Sequence, residues 1–412
     1  MIKAAVVGVT GFGLTHYGDL IREYKAGRVQ PVAAVIVNPD DAQEQIQELT
    51  KIGCDILPDF DTLIAKYSGK LDICCIPTGI ALHKPMTVAA LEAGFNVFVE
   101  KPVAATKADA DAMAETAKRT GKFAAVGYQT MYQPETRRIK ELCLSGVIGN
   151  IRQFKCYALW PRAFSYYNRN RWAGKLFADN GDIVLDSPFT NALAHDLNLL
   201  LFYAGKSFRE TAVIKKVQGT MLHANDIQSC DVASIRAVTE DDKEILFTVA
   251  HSCNQQINPT NEIIGDKGVI RFHRNENPRV TVCDNDGNII EEFPYTPNPE
   301  IRKNIWDKLL ARINDPEVFV CDASLAATHT LVCNAIFDSV KIAEVPADRK
   351  CVVSFNETDD RRTVIPGIEK AVRDSYEQGR LLDECDLPFA QKSEEFSLEN
   401  YSSFDGRLYG KR

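Results

Sequence analysis

The amino-acid sequence predicts an α/β fold in two parts: an N-terminal doubly wound parallel sheet and a C-terminal α+β domain with a large, mostly antiparallel open sheet. Three observations predict this architecture. Short apolar segments alternate with helical segments through the first third, a glycine-rich turn follows the first apolar segment, and longer β-type segments take over from about Tyr128. A chain of 412 residues is also too long for one ordinary core. We therefore divide it into domains 1–128 and 129–412.

The strand–helix–strand spacing of the first domain predicts parallel strands joined by right-handed crossovers. The carboxyl ends of such strands share one edge of the sheet, where a cofactor is expected to bind. The predicted strands are Lys3–Val7, Pro31–Val37, Asp72–Ile76, Asn96–Val99 and Phe123–Val126, and the predicted helices are His16–Ala26, Ala42–Ile52, Leu82–Ala93 and Lys107–Thr120.

The second domain is predicted from longer β-type segments separated by Gly and Asn-Asp turns, which favour an antiparallel sheet with helices on one face. The predicted strands are Ile151–Tyr157, Glu210–Val217, Val232–Ala237, Glu244–His251, Gly268–His273, Val280–Cys283 and Ile289–Phe293. The predicted helices are Glu135–Ser145, Asn191–Tyr203, Ile301–Ile313, Ala323–Ala343 and Ile365–Gln378.

Composition excludes several classes of function. The net charge of −8, from 48 basic and 56 acidic residues, argues against a nucleic-acid partner. No segment approaches the roughly 18 apolar residues that cross a bilayer, and the N-terminal apolar segment lacks a cleavage site, so we predict a cytoplasmic protein with no membrane partner. The 12 cysteines are scattered without a C-x-x-C pair, which predicts reduced core thiols and no metal site.

The glycine-rich turn Gly8-Val9-Thr10-Gly11-Phe12-Gly13 joins the first strand to the first helix. A helix N-terminus presents unpaired N–H groups and the positive end of the helix dipole, and glycines allow a pyrophosphate to approach the backbone. A tight turn without a ligand would show the same pattern. The candidate dinucleotide contacts in this turn are Gly8, Thr10, Gly11, Phe12 and Gly13.

The residues after the second strand are expected to select the cofactor. Asn38 can bond a ribose hydroxyl, and the nearby Asp40 and Asp41 with no Lys or Arg favour NAD over NADP, without excluding NADP.

Four motifs resemble the glucose–fructose oxidoreductase / inositol dehydrogenase / MocA-like family. They are Gly8 to Gly13 with Leu14-Thr15-His16, then Leu71-Asp72-Ile73-Cys74-Cys75-Ile76-Pro77-Thr78 with His83, then Gly94-Phe95-Asn96-Val97-Phe98-Val99-Glu100-Lys101-Pro102, and finally Gly127-Tyr128-Gln129. The resemblance runs across the first domain and more thinly through the second. It implies a Rossmann domain whose further cofactor contacts are Pro77, Thr78, His83, Glu100, Lys101 and Gln129.

The resemblance also implies that Lys101 reaches the active site and that a cis peptide bond precedes Pro102. An X–Pro bond tolerates the cis form at modest cost, and an ammonium can stabilise developing alkoxide character on a substrate. The alternative is an exposed lysine on a turn at the end of a strand.

Members of this family usually carry Asp-x-Gly-x-His-x-x-Asp on a helix, with the histidine as acid/base. The corresponding residues here are Asn191, Leu193, His195 and Asn198, so both acidic positions are amides and the glycine is replaced. Asn191, His195 and Asn198 are predicted to share one helix face, because they are spaced at i, i+4 and i+7. Asp186 is a candidate to supply the missing charge. A histidine satisfied within a packing face is the alternative to catalysis.

Aromatic residues and arginines alternate in the segment 160–172, a pattern typical of pockets that bind carbohydrate or an anionic group. A surface-loop or interface interpretation fits the pattern equally well. The candidate substrate-binding residues are Lys101, Arg162, Tyr167, Arg171, Trp172, Asn191 and His195.

The family resemblance implies an NAD(P)-dependent enzyme that moves a hydride between nicotinamide and a hydroxyl-bearing or keto carbon of a sugar, glycoside or cyclitol. Two alternatives are a redox-neutral enzyme that recycles bound NAD, and a non-catalytic NAD-binding regulator. A carbohydrate or polyol is the expected partner, and a homodimer or homotetramer formed through the C-terminal sheet is expected from the family.

Overall fold

The computed structural model describes residues 1–295, 298–355 and 359–410. The chain divides into unit 1, Met1–Tyr132 with Asn298–Ala327, and unit 2, Gln133–Pro297 with Thr328–Arg412. The segment Asn298–Ala327 therefore belongs to the first unit, whereas the sequence prediction placed it in the second domain. The reason is long-range packing: the Trp306 ring meets Phe98 at 6.5 Å, and the Val126 N–H donates to the Cys321 carbonyl at 2.7 Å.

Unit 1 is a six-stranded parallel sheet with connecting helices, as the sequence predicted. The structure adds a short strand and helix between residues 55 and 67, which the sequence interpretation missed. Its elements are β1 (Ile2–Val7), α1 (Gly13–Lys25), β2 (Val29–Val35), α2 (Gln43–Lys51), β3 (Asp55–Leu57), α3 (Phe60–Tyr67), β4 (Ile73–Ile76), α4 (Ile80–Glu92), β5 (Asn96–Val99), α5 (Lys107–Thr120) and β6 (Ala124–Val126).

The adjacent strands β4 and β5 are buried along their whole length, as expected for a parallel sheet covered on both faces. The strand order is β3-β2-β1-β4-β5-β6, so the chain reverses its direction of winding between β1 and β4. In open α/β sheets, ligands bind in the crevice outside the carboxyl ends at such a reversal. A ligand of unit 1 is therefore expected to contact the loops that follow β1, β2, β4, β5 and β6.

The remaining elements follow in chain order. They are α6 (Pro134–Ser145), β7 (Ile151–Leu159), α7 (Phe164–Tyr167), α8 (Ala194–Tyr203), β8 (Ile214–His223), β9 (Val232–Thr239), β10 (Glu244–Ala250), β11 (Ile257–Gly265), β12 (Gly268–His273), β13 (Arg279–Asp284), β14 (Ile289–Pro294), α9 (Asn298–Asn314), α10 (Ala323–Ser339), β15 (Ile342–Glu344), β16 (Cys351–Ser354), β17 (Arg361–Val364), α11 (Ile368–Gln378) and β18 (Phe396–Ser397).

The sheet of unit 2 has the order β14-β13-β12-β11-β7-β10-β9-β8-β15, and β18 pairs with β8. It is mostly antiparallel as predicted, but β10 pairs with β7 and β15 with β8 in parallel. The register aligns Leu159 of β7 with Ala250 of β10, and Ala250 with Val232 at the start of β9. The carboxyl ends of β7, β10 and β8 therefore share one edge, and the segments that follow them are brought together.

The prediction of helices on one face of an open sheet is wrong for the central strands. Helix α11 packs on the face opposite α8, with Ser375 bonded to Thr248 of β10 at 2.7 Å. The segment after α11 continues across β9, where the Leu382 N–H donates to the Ser234 hydroxyl at 2.9 Å. Helix α11 is strongly amphipathic, so it buries its apolar stripe on the sheet.

Among the described residues, no helix is both long and apolar enough to cross a membrane. The same part of the chain contains no cluster of three or more His, Cys, Asp or Glu side chains suited to a metal ion.

Candidate active site

The glycine-rich turn follows β1 at the carboxyl edge of the first sheet. Gly8 and Gly11 have φ values of +94° and +55°, in the left-handed region that other residues rarely adopt. A Cβ at Gly13 would lie 2.6 Å from the Gly8 carbonyl oxygen, so only glycine lets α1 begin this close to the turn. Each of these three glycines is thus explained by backbone geometry.

The N-terminus of α1 suits a negatively charged group. Phe12 occupies the N-cap position without a capping side chain, and the first turn has no acidic residue. The N–H groups of Gly13, Leu14 and Thr15 donate to carbonyls within the turn at 2.9–3.2 Å, so the turn would offer a phosphate the helix dipole and the N–H groups of the residues before Gly13. If Gly8 or Gly11 carried a Cβ atom, no protein atom outside the two adjacent residues would lie within 4 Å of it. The space beside the turn is therefore open. These features fit a dinucleotide pyrophosphate.

Other predicted cofactor residues lie at the same edge. Asn38 follows β2 and is exposed, Thr78 follows β4, and Gln129 follows β6. The Thr78 hydroxyl is buried without a hydrogen-bond partner among the described residues, so a ligand at this edge could supply one. No basic residue occurs between Val37 and Asp41.

His83, predicted as a cofactor contact, is almost fully buried inside the unit. Its two ring nitrogens lie 3.0 Å from the Thr78 carbonyl oxygen and 2.9 Å from that of Pro102. Burial lowers the pKa of His83, so the ring is neutral and one nitrogen at a time carries the proton. The histidine holds together the loops after β4 and β5, which is a positioning role.

Glu100 also points inward. Its carboxylate contacts His16 Nε2 at 2.8 Å and accepts from the Lys101 N–H at 3.1 Å, with the Arg302 guanidinium 3.7 Å away. Burial by itself would raise the pKa of this carboxyl, but the hydrogen bond and charge of His16, then Arg302, lower the pKa to about 2. Only glycine fits at position 127, because a Cβ there would lie 2.7 Å from the Glu100 carboxylate. Glu100 therefore anchors the turn that carries Lys101.

Lys101 follows β5 and is partly exposed at this edge. The peptide bond between Lys101 and Pro102 is cis, as the family resemblance implied. The turn of Lys101 is thus held from both sides, by Glu100 at its N–H and by His83 at Pro102.

In unit 2, helix α8 begins at Ala194, three residues later than predicted. Asn191 lies in the preceding one-turn π-helix Pro188–Ala192, and Leu193 breaks the helical backbone with φ −113°. The predicted single helix face of Asn191, His195 and Asn198 is therefore wrong for Asn191. His195 in the first turn of α8 is partly exposed, whereas Asn198 is buried and its Nδ2 lacks an acceptor among the described residues.

Asp186 brings a carboxylate to this region. Its Oδ1 accepts from Asn191 Nδ2 at 2.8 Å, and its Oδ2 accepts from the Gly174 N–H at 2.7 Å and lies 3.7 Å from Arg169. Leu185, directly before it, is buried with φ +52°, a strained conformation for this residue type. The first amide position of the helix motif, Asn191, is thus bonded to an acidic residue from an upstream loop.

Helix α8 is fixed by two buried charged residues that sequence reasoning did not single out. Asp196 forms an ion pair with Arg274 at the end of β12. Lys140 donates from Nζ to the Phe202 carbonyl at 2.6 Å and to that of Gly205, so an ammonium caps the C-terminus of the helix. Burial lowers the pKa of Lys140 to about 8.

The aromatic and basic segment after β7 folds into a stacked cluster. The Arg169 guanidinium lies 3.8 Å from the centre of the Tyr166 ring, and Arg162 lies 4.8 Å from the same ring. Tyr166 meets His251, which follows β10, at 5.9 Å. Burial and then the charge of Arg162 lower the pKa of His251 to about 3, so its ring is neutral, and its buried Nε2 has no partner among the described residues.

The four predicted substrate residues of this segment separate into two pairs. Arg162 and Tyr167 belong to the cluster, and the Tyr167 hydroxyl is buried without a partner in the described part of the chain. Arg171 is exposed, and Trp172 is 39% exposed, lying 5.0 Å from Arg169. The structure thus brings Arg162 and Tyr167 to the strand edge and leaves Arg171 and Trp172 outside it.

Asn225 and Asp231 were missed by sequence reasoning. The fully buried Asp231 accepts hydrogen bonds from the Ala224 and Asn225 N–H groups and from Asn225 Nδ2 at 2.7 Å. Burial raises the pKa of the Asp231 carboxyl, although these hydrogen bonds act to lower it. Their positions in the sequence could have identified them, because Asn225 follows the apolar strand β8 and Asp231 precedes the apolar strand β9. Strands β7 and β10 end at the same edge of the sheet.

A parallel sheet with a glycine-built phosphate cradle at its reversal point defines unit 1 as a dinucleotide-binding domain of an oxidoreductase. Residues 2–128 match the model of an oxidoreductase family with an NAD-binding Rossmann fold, and residues 136–271 match the C-terminal domain model of the same Gfo/Idh/MocA group. The chain belongs to the Gfo/Idh/MocA oxidoreductase family.

Individual relatives are distant. A 2,7-anhydro-N-acetylneuraminate hydratase of Mediterraneibacter gnavus is 31% identical over 36% of this chain, a match that spans only 37% of that enzyme. The inositol 2-dehydrogenase of Pseudomonas savastanoi pv. phaseolicola is 24% identical over 66% of this chain and 74% of its own. The WlbA dehydrogenase from Bordetella pertussis, solved with NADH and UDP-GlcNAcA, superposes with a TM-score of 0.64 at 20% identity, covering 82% of this chain and 95% of that one. The structural match supports the fold.

Proposed function

We propose that this protein oxidises a secondary hydroxyl of a sugar, glycoside or cyclitol with NAD, or reduces the corresponding ketone. Family membership supports oxidoreductase chemistry, and the inositol dehydrogenase relatives support a polyhydroxylated substrate. Unit 1 would bind the cofactor, and unit 2 would supply the substrate contacts.

One observation carries the proposal: the uncapped N-terminus of α1 and the anchored turn of Lys101 follow β1 and β5, which end at one edge of the sheet with only β4 between them. The first feature fits a pyrophosphate, and the second presents an ammonium beside it. A dinucleotide held in this way would be bound mainly by main-chain N–H groups.

The glycine-rich turn Gly8–Gly13 would hold the dinucleotide, which when bound would supply a hydride acceptor for the carbon that carries the hydroxyl. His195 removes the hydroxyl proton at its imidazole, and the Lys101 ammonium donates a hydrogen bond to the oxygen as negative charge develops. Asn191, bonded to Asp186, positions polar groups next to the first turn of α8. The cluster of Arg162 and Tyr167 binds other hydroxyls of the substrate.

We propose NAD as the preferred cofactor, because the segment after β2 offers acidic and amide side chains and no cation for a 2′-phosphate. A homodimer or homotetramer through the sheet of unit 2 stays a prediction. Since α11 and the following segment cover β7 to β9, such an interface would use the strands β11–β14. The cytoplasmic location also stays a prediction from the sequence.

The test measures NADH absorbance with purified protein, NAD and a panel of sugars, glycosides and cyclitols. We expect turnover of at least one member, and His195→Asn and Lys101→Met should each lower kcat by about 100-fold or more. His273→Asn and Lys84→Met are matched controls outside the site, and their kcat should stay within about twofold of the unmodified enzyme.

Calorimetric titration with NAD separates catalysis from folding, because both site variants should still bind the cofactor. NAD binding without turnover of any substrate would contradict an enzymatic role and favour a regulator. Conversion of a sugar without net NADH would show the redox-neutral alternative instead.

A further inference from the structure

A cavity of about 730 Å³ opens in unit 2 where β8 and β15 end. Its described lining includes an aromatic ring, two amides and several ionisable groups, and the hairpin of β16 and β17 forms one side. The lining includes Phe164, Tyr167, His223, Asn225, Asp226 and Lys350.

A series of side-chain contacts links the cavity to Asn191, which precedes helix α8 in the same unit. Tyr167 lines the cavity and packs edge-on against Tyr166, with the two ring centres 5.2 Å apart. The Arg169 guanidinium stacks on the same Tyr166 ring, 3.8 Å from its centre. Arg169 in turn lies 3.7 Å from Asp186, which bonds to Asn191. The side chains of Tyr167, Tyr166, Arg169 and Asp186 thus form a continuous series of contacts from the cavity to Asn191.

The size of the cavity exceeds the need of one sugar ring. Pockets of roughly 300–1,000 Å³ hold ligands of drug size, which is the size of a disaccharide. A substrate of a single ring would leave this space without a function in binding.

The charge of the lining favours a neutral, hydroxyl-rich group. Of the described residues that line the cavity, only Lys350 and His223 are basic, and Lys350 lies 3.5 Å from Glu344. Asp226 forms no ion pair within the described part of the chain, so its carboxylate can accept from hydroxyls. A diphosphate would need arginines or unpaired lysines, which this wall lacks.

Two polar atoms in the inner wall lack partners among the described residues. Asn225 is 6% exposed, and its Nδ2 donates to Asp231 and to the Ser252 hydroxyl at 3.2 Å, so its Oδ1 must face away from the carboxylate. That Oδ1 and the Tyr167 hydroxyl are both without a hydrogen bond. Sugar hydroxyls both donate and accept, so they can complete these bonds, and Phe164 offers an apolar ring face.

We propose that this cavity binds the second, non-reacting ring of a glycoside, so that the substrate is a disaccharide or larger glycoside rather than a free monosaccharide. The inference rests on the proposed function, because it assumes that the reacting ring is oxidised next to α8.

The test compares kcat/KM for matched pairs of a monosaccharide and its disaccharides in the unmodified enzyme and in Val352→Trp. Val352 lines the cavity and is 54% exposed, so an indole there fills the space without disturbing the core. We expect the disaccharide to be favoured at least about tenfold, and the variant to remove this preference. Val213→Trp, at a similarly exposed valine just before β8, is the control and should retain the preference.

Calorimetric titration of both sugars in the presence of NADH gives a readout independent of turnover. If the disaccharide binds more tightly than the monosaccharide and Val352→Trp weakens that binding, the subsite is supported even when no oxidation is detected. Failure of the subsite proposal can therefore be distinguished from failure of the proposed function. Equal binding of the two sugars overturns the subsite, and so does a preference that Val352→Trp leaves intact. A preference for a nucleotide sugar that Val352→Trp abolishes overturns the assignment to a neutral ring.

Discussion

The carboxyl edges of the two sheets differ in what their buried polar groups bond to. At the edge of unit 1, the motif side chains bond within the unit: Glu100 to His16 and the Lys101 N–H, and His83 to one or the other of two backbone carbonyls that face its ring nitrogens. At the edge of unit 2, the Tyr167 hydroxyl and His251 Nε2 are buried without a partner in the described chain.

This difference shows two ways of building a binding site. In unit 1 the groups offered to a ligand are main-chain N–H groups and the Thr78 hydroxyl, and side chains such as Glu100 hold the backbone in place. In unit 2 the groups offered are the side chains themselves. Changes at the first edge should therefore act on stability and cofactor affinity, and changes at the second edge on the choice of substrate.

The largest expected effect is from Glu100→Gln. The substitution leaves Arg302 and His16 without the buried carboxylate, so the free energy of unfolding at pH 7 should fall by about 3 kcal/mol. Urea unfolding followed by fluorescence measures this. The matched control is Glu92→Gln, which removes an exposed ion pair with Arg119 and should cost less than about 0.5 kcal/mol. An equal, small effect of both substitutions would contradict the anchoring role.

The unmodified protein and Glu100→Gln should also differ in how their stability depends on pH. The pKa of Glu100 is lowered from 4.5 to about 2 in the folded protein, so its charged form stabilises the fold above about pH 4.5. This contribution is lost as the pH falls towards 2. The unmodified protein should therefore lose more stability between pH 5 and pH 2 than Glu100→Gln, by about 3 kcal/mol. Parallel curves for the two proteins would refute this.

A smaller effect is expected from Gly13→Ala. The added methyl group would lie 2.6 Å from the Gly8 carbonyl, so the turn and the start of α1 must separate. NAD affinity measured by calorimetry should fall about tenfold or more, a change of roughly 1.4 kcal/mol. Gly18→Ala in the same helix, where no atom lies within 4 Å of the new Cβ, should leave NAD affinity unchanged.

The smallest expected effect is the absence of a titration at His251. Because burial and the charge of Arg162 lower its pKa to about 3, its imidazole signals in NMR should not shift between pH 5 and pH 8. The unfolded protein should titrate near pH 6.5. Since the folded ring resists protonation, stability should decline as the pH falls below 6.5. A midpoint near 6.5 in the folded protein would show that this part of unit 2 is hydrated.

Sequence reasoning identified regular elements better than their partners. The alternation of unit 1 and the cis bond at Pro102 were predicted, and α5 begins and ends at the predicted residues. It missed β11, because Asn258, Pro259 and Thr260 interrupt the apolar pattern, and it extended the helix of His195 back to Asn191. Local pattern could not show that Leu193 leaves helical geometry or that Asp186 would supply a partner for Asn191.

The sequence by itself determined the class of fold and the cofactor edge with Gly13, because these depend on short-range periodicity and turn geometry. Lys101 and His195 became candidates through the family resemblance of the motifs around them. Only the tertiary structure decided that Glu100 and His83 face inward, that residues 298–327 return to unit 1, and that Asn225 and Asp231 stand beside a cavity. Each of these depends on contacts between residues far apart in the chain, and such contacts leave no local pattern.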